Sequence, residues 1–283
     1  MAAAEEHEGS GAYVLHHLTN LKLDLHTMTL NPEAKGFWVL NLDSVIFSLV
    51  LGSLFLWLWL SAASAARSGK RSGLLNFIEM VLEFWQKQVK EVFPHANPLV
   101  VPLALTIFVW VLFMNLMDVV PVDLLPFLAG KAGVDHLRIV PSTDVNITFG
   151  MSLSVFVLII VYNIVFKGPV GFLKEVLTFP FGPWLAPVNL VLRIVEEIAR
   201  PVSLALRLFG NLFAGELIFV LIALLLAQVT HGVGGVALAG LGFVAHLAWA
   251  FFHLLVIPLQ AFVFAVLTVV YLSTAAQSHG DDH

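Results

Sequence analysis

One arginine in an apolar run is the residue whose chemistry most needs an explanation. Arg207 stands in Leu204-Ala205-Leu206-Arg207-Leu208-Phe209-Gly210, and its nearest formal charges are Arg200 and Glu216. Guanidinium stays protonated at any physiological pH, so it cannot escape an apolar setting by losing its charge. At the centre of a bilayer it costs about 2.5–3.5 kcal/mol on insertion scales. It must then face water, a carboxylate or both. The plain alternative is snorkelling to the lipid surface, and the length of apolar chain on either side argues against it. At about 100° per residue, Arg193, Glu196, Arg200, Ser203, Arg207 and Asn211 fall within about 40° of one line. Glu216 projects about 180° from Arg207 on the same geometry, so the two serve different surfaces.

A second polar stripe lies further along. His246, His253 and Gln260 are spaced by seven, which keeps them on one helical face. An intramembrane histidine is a functional candidate by default, because imidazole as a group exchanges protons near neutral pH. His246 taken alone reads as a hydrogen-bonded core histidine. A haem would need two facing histidines on separate helices, and His231 lies at a turn. Zinc needs three or four ligands in tetrahedral reach, and no such set is present. With no cysteine in the chain, thiolate ligands, disulfides and cysteine nucleophiles are excluded. No nucleophile with its base and no glycine-rich phosphate loop is recognisable, so no catalytic residue, cofactor or metal is implied. What the stripes can do is pass protons. Carboxylate, imidazole and amide groups on facing helices relay them through confined water, while a fixed cation on another face blocks a direct leak.

Such stripes need long apolar helices to carry them. Only 12% of residues are charged, the hydrophobic share is 59% and the mean hydropathy is +0.92. An average soluble domain is about 25% charged, so too little polarity remains for a water-facing coat. Backbone groups in lipid must bond internally, which makes long apolar runs helices. About 20 residues are needed to cross. The reading is an all-α integral membrane protein with about five crossings, near 44–66, 98–117, 146–166, 187–228 and 236–276, in a single polytopic domain over 44–283 that follows an N-terminal segment over 1–43. The last two runs are each about 60 Å as helix, twice the hydrocarbon thickness of about 30 Å, and read as a long, steeply tilted hairpin. Gly232, Gly234 and Gly235 after His231 mark the turn between them. Over 74–92, Leu74, Ile78, Val81, Trp85, Val89 and Val92 repeat at helical spacing opposite Asn76, Glu79, Glu83, Lys87 and Lys90, the pattern of an interfacial amphipathic helix.

Basic residues set the orientation. Arg67, Lys70, Arg71, Lys87 and Lys90 lie between the first two spans, against Lys22 and Lys35 before the first and Lys131 and Arg138 after the second. With five crossings the N-terminus is expected outside and the C-terminus in the cytoplasm. The net charge of −5 and the scattered cations argue against nucleic acid as a partner.

The segment Pro201-Val202-Ser203-Leu204-Ala205-Leu206-Arg207-Leu208-Phe209-Gly210-Asn211, continuing into Ala214-Gly215-Glu216-Leu217-Ile218-Phe219, resembles the signature of subunit a of bacterial F-type ATP synthases. Trp249-Ala250-Phe251-Phe252-His253 and Leu259-Gln260-Ala261-Phe262-Val263-Phe264 are similar too, as are Asn115-Leu116-Met117-Asp118, Pro121-Val122-Asp123-Leu124-Leu125-Pro126 and Pro141-Ser142-Thr143-Asp144-Val145-Asn146. The resemblance covers nearly the whole chain from the first span onward. It implies a non-catalytic subunit of the bacterial inner membrane, packed against a rotating ring of c subunits and joined to peripheral-stalk b subunits. In such a motor, protons reach the ring carboxylates through one aqueous half-channel and leave by another. By residue match, Arg207 corresponds to the ring-facing arginine that separates the half-channels, Asn211, Glu216, His253 and Gln260 to the inlet path, and Asp118 to a position nearer its mouth. Some relatives place a carboxylate at the position of Arg193 on the exit side. Here that position is basic, and Glu196 or Glu197 substitutes, or both only balance Arg193 and Arg200. Two other classes compete: a self-contained secondary transporter, which usually shows two repeats not found here, and a haem-bearing respiratory subunit.

Overall fold

The computed structural model describes residues 19–31, 34–36, 38–69, 72–94, 97–120, 129–131, 137–227 and 233–276. Six α-helices carry the described chain: α1 Leu42–Arg67, α2 Gly73–Val92, α3 Val100–Leu116, α4 Val145–Thr178, α5 Ala186–Ala227 and α6 Val233–Ala276. All but α2 contain a stretch long and apolar enough to cross a membrane. Their outer surfaces fit that reading. Leu49, Trp57, Leu60, Val165 and Leu255 are all more than 60% exposed, an apolar surface that water would not tolerate on this scale. The protein is a multi-pass membrane protein.

Before α1 the sequence reading of an all-α chain misses a small sheet. Strands β1 Lys22–Asp24, β2 Thr29–Leu30 and β3 Val39–Asn41 pair antiparallel in the order β2-β1-β3. Strands this short carry no measurable alternation, which is why the pattern hid them. In the turn after β1, Asp24 accepts the His26 N–H at 2.8 Å, and that bond holds its carboxyl below the usual carboxylate range.

The amphipathic helix starts one residue earlier than expected. The Ser72 hydroxyl accepts the Leu75 N–H at 3.1 Å and caps it. Its buried face is Leu75, Ile78, Trp85 and Val89, with Leu75 in place of the exposed Leu74. Trp85 is fully buried between Phe108 and Phe262.

Helix α4 is two helical arms joined at a kink. The first, from Val145, ends close to the expected limit at 166, where the chain bends at Gly168 (φ 71, ψ 159), ahead of Pro169, and the second continues to Thr178. Across the bend the Lys167 ammonium lies 2.7 Å from Glu175, and both side chains are largely shielded. That positive φ suits glycine and strains any other residue.

Helices α5 and α6 hold 42 and 44 residues without a break. At about 63 Å and more, each keeps its apolar length in lipid only by lying steeply inclined. Two of the glycines expected at the turn between them lie in a helix instead. His231 and Gly232 lie outside the described residues, whereas Gly234 and Gly235 belong to the first turn of α6. There the backbone N–H groups have no intrahelical partner to lose.

The described chain falls into two compact units. One draws on Met1–Leu54, Trp110–Ile147 and Phe209–Gln260, the other on Phe55–Val109, Thr148–Leu208 and Ala261–His283. In the first, the Trp110 ring packs over Gly52 of α1, and the Trp110 indole donates to the Ser48 carbonyl at 3.3 Å.

Candidate functional site

The first unit contains a concentration of buried polar groups. Glu216, on α5, is 4% exposed and sits against Arg138, which is 8% exposed. Arg138 Nη2 lies 2.5 Å from Glu216 Oε2, and Nε donates to Oε1 at 3.3 Å, a two-point grip that only guanidinium offers. The guanidinium also lies 5.6 Å over the Phe213 ring. Its backbone is fixed independently, because the Arg138 N–H donates to Asp43 Oδ2 at 3.0 Å. Asp43, 1% exposed, also accepts the Leu21 N–H at 2.9 Å and the Asn20 amide at 3.2 Å. It lies in the first turn of α1, where the helix dipole favours a carboxylate. Asp144 plays a similar part at α4. It accepts the Asn146 N–H at 2.9 Å and the Asn41 side-chain amide at 2.8 Å.

A carboxylate–imidazole pair forms the second cluster. His253 Nε2 and Asp118 Oδ2 share a hydrogen bond, with both side chains almost wholly buried. Asp118 comes from the 3-10 turn Met117–Val119 that ends α3, so the loop residue expected near a channel mouth lies directly against the α6 histidine. Phe219 meets the His253 ring edge-on at 5.6 Å, and Trp249 lies across it at 6.2 Å. Trp249 in turn donates to the Gly215 carbonyl at 3.3 Å.

Gly215 has a steric reason to be glycine. A Cβ there would stand 2.2 Å from His253 Cε1 and 2.8 Å from Nδ1. The ring cannot swing clear without leaving Asp118. Gly215→Ala is expected to destabilise the fold by about 1–3 kcal/mol, as overpacking does. In a His253→Ala background the same substitution should cost little. Thermal melting of the four combinations reads the coupling, and additive losses would refute the contact.

The other expected residues are placed as follows. Gln260 is buried, and Asn115, fully buried, donates to the Ile257 carbonyl at 3.4 Å while its Oδ1 has no partner. His246 is exposed, with its ring 5.2 Å from Phe219. The reading of it as a core histidine is therefore corrected: sharing a face with His253 buries a side chain only where a neighbour covers it. On α5, Ser203 and Asn211 are exposed and Arg207 is half-buried. Among the described residues Arg207 has no ion-pair partner, unlike Arg138, Arg193 and Arg200. Glu196 pairs with Arg200, while Glu197 lies 2.8 Å from Arg193 and 3.5 Å from Arg200. Both acids thus balance the arginines, and they differ in setting: the Glu196 side chain is 54% exposed and that of Glu197 14%. Arg200 also lies 5.6 Å over the Tyr271 ring. Asp123 and Asp135 lie outside the described residues, among which no three His, Asp or Glu side chains are grouped to hold a metal.

Sequence reasoning missed Arg138 and Asp43 as site residues. The available signal was a single arginine ahead of the apolar pair Ile139-Val140 and the Pro141-Ser142-Thr143-Asp144 turn, all of it buried.

Residues 45–273 match the family described as ATP synthase A chain. The chain is 50% identical over 279 residues to ATP synthase subunit a of Halorhodospira halophila, covering 99% of this chain and all of the relative. It is 51% identical over 280 residues to that of Shewanella frigidimarina, again over 99% of this chain and all of the relative. With that of Thiobacillus denitrificans it shares 49% over 284 residues, 98% of this chain and 99% of the relative. A match of this extent means that the chain belongs to the ATP synthase A chain family.

Proposed function

We propose that the chain is the proton-conducting stator subunit in the membrane sector of an F-type ATP synthase. It performs no bond chemistry itself. It offers two aqueous half-channels to the carboxylates of a rotating ring of c subunits, and peripheral-stalk b subunits hold it still. Membership in the family and full-length similarity to bacterial relatives support this reading and a seat in the bacterial inner membrane. The excess of lysine and arginine between the first two spans supports an N-terminus outside and a C-terminus in the cytoplasm.

The observation that carries the proposal is the contrast between two arginines. Arg138 is buried and paired with Glu216, whereas Arg207 has no ion-pair partner among the described residues and sits with exposed Ser203 and Asn211 on one stripe of α5. An unneutralised cation on an outward face must meet water or an acid from another molecule, and a ring carboxylate supplies the acid. On the inlet side, Asp118–His253 and Arg138–Glu216 with Asn211 and Gln260 form the relay. Asn115 Oδ1 and Ser142 Oγ, both buried without hydrogen-bond partners, mark where confined water would bind. On the exit side, the shielded Glu197 is better placed than the exposed Glu196 to stand in for the acid that relatives carry at position 193.

Cross-linking tests the ring-facing assignment directly. The chain has no cysteine, so Ser203→Cys or Asn211→Cys introduces one defined thiol. Paired with a cysteine beside the ring carboxylate, each is expected to form an intersubunit disulfide under mild oxidation. A control thiol at Ile198, exposed and about 180° from Arg207 on α5, should form none. No cross-link from the stripe positions in an assembled complex would remove the basis for the motor reading.

A further inference from the structure

We infer that the connection between α4 and α5 is a membrane-interface anchor, with Trp184 seated among lipid headgroups. The first arm of α4, from Val145 to Lys167, is about 34 Å long and crosses the hydrocarbon of about 30 Å unaided. The bend at Gly168 then ends the crossing, and α5 begins the next at Ala186. The chain between these points has to lie at a membrane face.

Its shape is set without Trp184. Asn189, fully buried, donates to the carbonyls of Leu177 at 3.0 Å and Gly182 at 2.9 Å and accepts the Phe181 N–H at 3.2 Å. The Gly182 N–H donates to Thr178 at 2.7 Å, and Lys167–Glu175 closes the bend. Trp184 contributes to none of this. It is 96% exposed, with Phe181 57% and Leu185 46% exposed beside it.

A large amphipathic ring held outward by a rigid turn fits the boundary where indole is enriched, its apolar body towards the acyl chains and its N–H towards water. The surface that follows points to lipid rather than to a protein. Val188, Val191, Val195 and Ile198 are all exposed and fall within about 40° of one line on α5. They form an apolar stripe leading from Trp184 into the hydrocarbon. Arg193 and Arg200 project to the other side of the helix, about 160–180° from that line. The inference needs only the multi-pass fold and does not rest on the motor reading.

The test uses the assembled complex, free of other reactive cysteines, in liposomes. A nitroxide on Trp184→Cys is expected to collide with both oxygen and a water-soluble nickel chelate, at a depth between a label on Val195→Cys and one on the polar face of α2 at Glu79→Cys. A label at position 184 as open to the chelate as one in bulk water would overturn the anchor. So would a label reached by neither quencher, which would mean a protein covers it. The conservative variant Trp184→Phe guards against disturbance by the label. It should lose part of the fluorescence quenching caused by lipids brominated near the headgroup end of the acyl chain. An unchanged quenching amplitude would also count against lipid contact.

Discussion

Replacing Arg207 with alanine is expected to abolish proton-driven ATP synthesis while the complex still assembles. The stability side follows from its surroundings. Arg207 is half-buried in α5 between Leu206 and Leu208 and has no ion-pair partner among the described residues. Removing it strands no carboxylate among the described residues, and it deletes a charge that costs about 2.5–3.5 kcal/mol to hold in mid-membrane. Folding has nothing to lose. The functional side follows from permanence: guanidinium cannot take part by giving up its proton, so its contribution is a fixed positive charge. On the proposed motor reading, a ring carboxylate can then pass while still carrying its proton, and the two half-channels are no longer separated. Arg207→Lys keeps a charge but not the planar fork and should also be severely impaired. Synthesis by energised vesicles is the readout, with native gel electrophoresis reporting assembly. Normal synthesis by an assembled Arg207→Ala complex would end the motor interpretation.

Arg207 was legible in the sequence because a permanent charge inside an apolar run has no ordinary explanation. Helix α2 was legible because its apolar residues repeat at 3.6, and α5 and α6 because no polar break divides them. The partners of the residues proposed for the inlet were not. Arg138 and Glu216 lie 78 positions apart, and a helical wheel says where Glu216 does not point, never what it meets. Arg138 counted only as a topological charge, since nothing local shows that its loop is buried. Asp118 and His253, 135 positions apart, were each visible as polar residues beside apolar helices, but their contact depends on how α3 and α6 pack. The end of the third span near 166 was legible because Lys167 closes the uncharged run, but the second arm of α4 and the Lys167–Glu175 pair across the bend at Gly168 were not. Sequence reports the cost of a charge well. It reports poorly which side chain meets that cost.

Arg138→Ala should fail in the opposite way from Arg207→Ala, losing the folded subunit before function can be assayed. Glu216 is 4% exposed, and its contacts at 2.5 and 3.3 Å are both to Arg138. Removing one partner of a buried pair costs about 3–5 kcal/mol, because the other charge stays buried without compensation. Membranes should accordingly contain much less assembled complex, and what is extracted should melt earlier. Arg138→Lys keeps the charge but cannot grip both carboxylate oxygens, so an intermediate loss is expected. The informative variant combines Arg138→Ala with Glu216→Gln. Removing both charges removes the stranded one, so assembly and melting should largely recover. Proton-driven synthesis should not, because the amide no longer offers a carboxylate to the relay. Recovery of synthesis along with assembly would reduce Glu216 to half of a structural ion pair and move the inlet path to Asp118 and His253 alone. Undiminished assembly in the single Arg138→Ala variant would show that Glu216 has another partner or reaches water, contrary to its burial.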